Sequence, residues 1–307
     1  MYGEIVVFYE IVVHFSYLYI TFIGVISMET LIIREKQDLT YLNWSKIRKS
    51  SGIAGSFLKA TSELGGVKIY YKLSNYDSIR GVIGHESVNE LIADRLLTLL
   101  GIEHLHYQLI HADILVDGKV LDTYVCASEN FRARGEDKQA IDVCYESERQ
   151  DGESPLDFCV RMDWTDYIWN MLVVDFLILN RDRHGANIEV LRNRKRKEIR
   201  IAPLFDHGLS LLCRCETEDA IRKFDVMADL PVQCFAGSRS AQENLKLIPA
   251  EQLPELNALR ESDRAHLLDG LDGIIPQCLQ DQIWNMIWNR WCYYEDFCNT
   301  RRGESVK

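Results

Sequence analysis

Between His85 and Leu100 the apolar residues Val88, Leu91, Ile92, Leu96, Leu99 and Leu100 recur at spacings of three and four, and Gly101 follows. That period predicts an amphipathic helix, and a glycine just past its end supplies the left-handed residue that closes one. On either side the pattern changes. Behind Gly65-Gly66, VKIYYKL (67–73) is rich in β-branched and aromatic residues, which predicts the returning strand of a hairpin. HYQLIHADILVDGKVLDTYVCAS (106–128) predicts two more strands joined at Asp117-Gly118, a dipeptide suited to a type I′ turn. Two strands, a helix and two strands amount to a small antiparallel sheet carrying one helix.

A polar stretch (130–155) follows, and a boundary is expected near Ser128. Beyond it, MDWTDYIWNMLVVDFLILN predicts a long helix ending at Asn180, and NIEVL and EIRIAPLF predict two strands around a basic turn. The remainder is expected to be mostly helical. Near the end Ile283, Ile287 and Trp291 form one helical stripe with Trp284 and Trp288 beside it, a core-packing pattern. The fold class expected is α+β: an antiparallel β-rich N-lobe with one helix (28–128) and a mostly helical C-lobe (129–307).

Residues 5–27 are strongly apolar and aromatic, yet Glu10 and His14 interrupt them and no Lys or Arg precedes Arg34. A secretory signal requires a positive leading segment, and a span of about 20 residues would carry Glu10 at a cost. The favoured expectation is that Met28 is the start and that 1–27 is an apolar extension outside the native protein. No membrane association is expected unless residues 5–27 are genuine.

Composition narrows the classes. The 307 residues are 47% hydrophobic and 26% charged with 6 prolines and 18 glycines, as in a globular protein. A formal net charge of -11 argues against direct binding of nucleic acid by the chain as a whole. The nine cysteines include no Cys-x-x-Cys pair, so reduced thiols in a cytoplasmic protein are expected. His85, His104, His106, His111 and His266 show no metal-site spacing that outweighs ordinary packing or exposure.

The densest chemistry lies in Asn180-Arg181-Asp182-Arg183-His184-Gly185-Ala186-Asn187-Ile188, followed by Pro203-Leu204-Phe205-Asp206-His207-Gly208. An aspartate on a loop, an asparagine five residues on and a second aspartate after one hairpin supply what nucleotide phosphoryl transfer requires. Asp182 would accept the proton of an attacking hydroxyl, while Asn187 and Asp206 offer oxygen ligands suited to Mg²⁺. His184 is a second catalytic candidate, as a loop brace or a transition-state contact. Asp175 is expected to be a buried carboxylate fixing this loop, and His207 to orient Asp206. Lys72, on one strand face with Lys68 and Tyr70, is the candidate for phosphate oxygens. Glu86 and Glu90, one helical turn apart, could each hold it, and Glu90 is favoured. Gly52, Gly55 and Ser56 lie in a glycine/serine loop whose N–H groups could cover phosphates. Phosphorylation of Ser50, Ser51 or Ser56 would add roughly -1.5 to -2 charges there and expel the loop.

This series, with Asn89-Glu90 on a helix ending in Leu-Gly-Ile and Ala-Pro-Leu-Phe-Asp at 202–206, resembles the HipA-like serine/threonine kinases of bacterial toxin–antitoxin systems. The resemblance implies a two-lobed protein-kinase-like fold and ATP with Mg²⁺ as cofactors. It also implies Asp182 as base, Asn187 and Asp206 as metal ligands, Lys72 on the phosphates, a protein substrate and an antitoxin partner. Asp-Arg-His-x-x-Asn-Ile is also similar to the catalytic loop of phosphatidylinositol 3- and 4-kinases, so a lipid kinase is the alternative enzyme. A nucleotide-binding pseudokinase is the alternative outside catalysis.

Overall fold

The computed structural model describes residues 31–47 and 54–305. The apolar extension 1–27, Ser50, Ser51 and Gly52 lie outside the described residues. Gly55 and Ser56 fall in a strand described by its backbone.

Two glycine turns set the sheet. Gly65 and Gly66 (φ 56° and 80°) join β3 (Ala54–Leu64) to β4 (Val67–Leu73), and Asp117 and Gly118 (φ 50° and 75°) join β7 (Gln108–Val116) to β8 (Lys119–Glu129). Positive φ at both central residues gives a turn whose twist matches the strands. With β1 (Ile32–Asp38) and β2 (Ser45–Ile47) the sheet has six strands in the order β1-β7-β8-β4-β3-β2. The expected sheet is corrected here: it is mixed, because β1 runs parallel to β7. Parallel partners need a long crossover, and everything from Asp38 to the end of the first helix supplies it. A small ribbon, β5 (Tyr76–Asp77) with β6 (Gly81–Val82), precedes that helix.

Helix α1 (Glu86–Leu100) closes on Gly101 at φ 76°, whose neighbour Ile102 donates its N–H to the Leu97 carbonyl at 2.9 Å. Its apolar residues do not serve the sheet alone. Leu91, Ile92, Leu96 and Leu97 join the large core of the C-terminal region, whereas Ile69, Tyr71, Leu73, Ile110 and Ala112 form a smaller core on the sheet. Leu109 belongs to the first core and Ile110 to the second, the alternation that a strand imposes.

The C-terminal region is less regular than its sequence suggests. The polar stretch contains β9 (Asp137–Ala140) and α2 (Ile141–Glu148), followed by α3 (Pro155–Arg161) and α4 (Thr165–Leu177). Helix α4 stops before Asn180, because Leu179 turns to φ 49°. After β10 (Asp182–Arg183) the predicted hairpin forms as β11 (Glu189–Asn193) and β12 (Glu198–Ile201), with β9 as a third strand on β11. Then come α5 (Glu218–Lys223), β13 (Gln233–Cys234), α6 (Ala241–Leu245), α7 (Asp263–Leu268) and α8 (Gln277–Ser305). The fold is thus α+β, β-rich first and mostly helical after. Among the described residues no helix is long and apolar enough to cross a membrane.

Helix α8 buries Ile283, Ile287 and Trp291 in the core, and it also buries Arg290 completely. The guanidinium donates to three carbonyls, Val226 (2.8 Å), Phe176 (2.9 Å) and Ala228 (2.8 Å), over the Phe176 ring. Burial pulls its pKa down to about 10, still cationic at neutral pH. Arg290→Met would leave those carbonyls without their donors, each worth about 1–3 kcal/mol when buried. The predicted loss of about 3 kcal/mol or more is checked by urea unfolding followed through tryptophan fluorescence.

Candidate active site

Register brings the first charges together. A hairpin with a two-residue turn pairs residues equally far from it, so Lys59 lies opposite Lys72. The Lys72 ammonium donates to Glu90 Oε1 at 2.6 Å and to Asp206 Oδ1, and Lys59 lies 3.9 Å from Asp206 Oδ2. Burial pushes the Lys72 pKa down, but Asp206 and Glu90 outweigh it and leave the pKa raised. Glu86 does a different job. Its Oε2 accepts the Asn75 N–H at 2.9 Å, and burial pushes its own pKa up.

Helix α1 also holds the segment that carries Asp206. The His207 N–H donates to Glu90 Oε2 at 2.8 Å, and Asn89 Nδ2 donates to the carbonyls of Gly208 (3.0 Å) and Ser210 (3.1 Å). Asp206 itself sits at φ 60°, a left-handed conformation that costs a non-glycine residue about 1–3 kcal/mol. Its N–H meets the hydroxyl of buried Tyr107 at 3.3 Å. Gly208 has a steric reason. A Cβ there would lie 3.2 Å from Lys72 Nζ, Glu90 Oε1 and Glu86 Cβ. His207 is buried, which drives its pKa far down and leaves it neutral, with Nδ1 3.9 Å from Glu90 Oε2.

The loop after α4 is built on an arginine that sequence reasoning passed over. Arg183, fully buried, donates to Asp175 through Nε (3.0 Å) and Nη2 (3.0 Å) and to the Phe205 carbonyl through Nη1 (2.7 Å). Asp175 Oδ1 also accepts from Asn180 Nδ2 at 2.9 Å, so its role is to brace the loop. Asn187 Nδ2 donates to the Asp182 carbonyl (2.8 Å) and to its Oδ2 (3.3 Å). The Ala186 N–H donates to His184 Nδ1, which fixes the proton on Nε2, 3.6 Å from Asp182 Oδ1. Burial raises the Asp182 pKa, the Asp206 charge adds to the rise, and His184, Asn187 and Lys72 oppose it.

The structure therefore gathers Lys72, Glu90 and Asp206 in one cluster, and Asp182, His184 and Asn187 on one adjoining loop. Gly52 lies outside the described residues, and Gly55 and Ser56, expected in a loop, instead lie near the start of β3. Lys59 and Tyr107 were missed. Lys59 was legible from the Gly65-Gly66 turn, whereas nothing local marks Tyr107. A cleft of about 540 Å³ opens beside His184 and Gly185, walled by Gln233, Phe235 and Arg239.

No family model matches the chain. The serine/threonine-protein kinase CtkA of Helicobacter pylori strain J99 is 28% identical over 123 residues, 40% of this chain and 37% of that protein. The match thus spans little more than a third of the relative's length. The crystal structure of a Helicobacter pylori proinflammatory kinase CtkA has a TM-score of 0.57 at 16% identity, over 89% of this chain and 100% of that one. A chain of the Shewanella oneidensis MR-1 toxin–antitoxin complex of HipA, HipB and operator DNA gives 0.38 at 15% identity, over 85% and 66%. The last likeness is too slight to define a shared fold. The chain has the fold of a kinase and a distant sequence relation to one.

Removing the Asp175 carboxylate would strand the Arg183 guanidinium, which is fully buried. Breaking a buried pair from one side costs about 3–5 kcal/mol. Asp175→Ala is therefore expected to lower stability by that amount in a guanidinium titration, and a change under about 1 kcal/mol would mean that water reaches the pair.

Proposed function

We propose that this chain is an ATP- and Mg²⁺-dependent kinase that phosphorylates serine or threonine hydroxyls of a protein. The observation that carries the reading is the Lys72–Glu90 ion pair held against Asp206, with Asp182 and Asn187 on the adjoining loop. Asn187 and Asp206 would hold the metal, and an all-oxygen donor set fits Mg²⁺. Gly208 leaves room beside the Lys72 ammonium that a Cβ would take. When bound, nucleotide and metal supply the transferable phosphoryl group and the positive charge that offsets it.

The chain's own residues position and move the proton. Asp182 accepts it from the substrate hydroxyl at a carboxylate whose raised pKa makes it a stronger base than a surface aspartate. Asn187 Nδ2 orients that carboxylate, and Glu90 keeps Lys72 from swinging away. The 540 Å³ cleft beside His184 is where a substrate segment would enter, with Arg239 on its wall. Autophosphorylation at Ser50 or Ser51, or at Ser56 near the start of β3, and an antitoxin protein as partner belong to the same proposal. So does a cytoplasmic setting, in keeping with nine free thiols.

The test is transfer of labelled phosphate from ATP with Mg²⁺ to the chain itself and to a bacterial lysate. Asp182→Asn is predicted to cut transfer about 10²- to 10⁴-fold while the melting temperature stays within about 2 °C of wild type. Wild-type transfer by Asp182→Asn would overturn the assignment of the base. Label entering phosphoinositide vesicles instead of protein would replace the substrate class.

A further inference from the structure

Among the remaining histidines no spacing along the sequence outweighs ordinary packing, yet the fold brings two of them together with an aspartate. Asp94 lies on α1 one turn beyond Glu90, and Gly101 reverses the chain behind it so that His104 and His106 come back over the same face. Asp94 Oδ1, His104 and His106 each offer a ligand atom, and these lie within 4.8 Å of one another. The helix end and the Gly101 reversal lie between Asp94 and His104, so the grouping shows only in the fold.

The hydrogen bonds around the three are compatible with a ligand set. His104 Nδ1 is 2.6 Å from the Ile102 carbonyl, which can only accept, so the ring proton is on Nδ1. Nε2 then lies 2.8 Å from Asp94 Oδ1, a contact of two acceptors unless a cation stands between them. A cation between them, a proton or a metal ion, removes that conflict. Asp94 Oδ2 is already committed, since it accepts the Tyr107 N–H at 2.6 Å, which leaves Oδ1 as the inward oxygen. His106 Nδ1 approaches the same Oδ1 at 3.1 Å, and the Thr98 hydroxyl lies 3.4 Å from His104 Nε2. Metal-bound histidines commonly donate their second N–H to a backbone carbonyl, and ligating carboxylates are hydrogen-bonded in turn. Both supports are present before any metal arrives.

We propose that Asp94 Oδ1, His104 Nε2 and His106 Nδ1 form a binding site for one divalent transition-metal ion of the Zn²⁺ class. One carboxylate and two imidazoles suit zinc better than the oxygen-seeking Mg²⁺. Three protein ligands leave the fourth position to water or to the Thr98 hydroxyl. The site has an entrance, because the His106 side chain is 71% exposed while those of His104 and Asp94 are 3% and 1%. Its place in the fold gives it a structural task. His104 bridges in parallel to Leu204, and the Leu105 N–H donates to the Leu204 carbonyl at 2.8 Å, two residues before Asp206. A metal here ties α1 to the segment that delivers Asp206.

The full chain, treated with chelator and then titrated with ZnCl₂ in a calorimeter without nucleotide, tests this directly. Wild type is expected to take up one equivalent and to melt at a higher temperature when loaded. His106→Ala, an exposed substitution that leaves the core intact, is expected to weaken that binding at least about tenfold and to abolish the thermal gain. With Co²⁺ as probe the visible spectrum should carry no thiolate charge-transfer band. No uptake, equal affinity in His106→Ala, or a thiolate band showing that the cysteines hold the metal would each overturn the site. None of these readouts depends on kinase activity, so their failure leaves the proposed reaction untouched.

Discussion

One buried ammonium connects the two halves of this chain. Lys72 comes from a strand, Glu90 from the helix behind it, and Asp206 from a segment that follows two further strands in the other region. A lysine taken from water pays heavily in lost hydration, and its two carboxylates return it only at close range. The same carboxylates would repel each other without the lysine. The geometry of α1 against the Asp206 segment is therefore fixed by charge as well as by the apolar residues that α1 buries.

The second anchor works in the same way one layer deeper. Arg183 ties Asp175, at the end of α4, to the Phe205 carbonyl, so the loop of Asp182 and the segment of Asp206 share one guanidinium. Arg290 repeats the device for α8. Arginine suits such positions because its planar fork meets several acceptors at once and keeps its proton at neutral pH even when buried. The site's side chains are thus held by buried groups behind them, and positioning of this kind is what the proposed phosphoryl transfer would chiefly demand.

What was legible in the sequence was what local physics decides. The three-four spacing gave α1 with its glycine stop, and Gly65-Gly66 and Asp117-Gly118 gave both hairpins. Strand alternation and helical turn length put Lys72 within reach of Glu86 or Glu90, and the fold selects Glu90. The rest depended on distance along the chain. The parallel partner of β7 comes from residues 32–38, with no pattern to announce it. Buried Arg183 and Arg290 look like ordinary solvated charges until a core closes over them. The histidines at 104 and 106 acquire meaning only once α1 brings Asp94 beneath them. Leu179 ends α4 early because the chain must turn into the loop, which apolar residues alone do not signal.

In the proposed function the Lys72 cluster receives nucleotide phosphates with their metal. Calorimetric binding of a non-hydrolysable ATP analogue with Mg²⁺, compared between wild type and Glu90→Gln, addresses it most directly. Because Glu90 holds the lysine in place, the account predicts measurable binding in wild type and a loss of at least about tenfold, or 1.4 kcal/mol, in the variant. Equal affinity in the two proteins, or no binding to either, would contradict it.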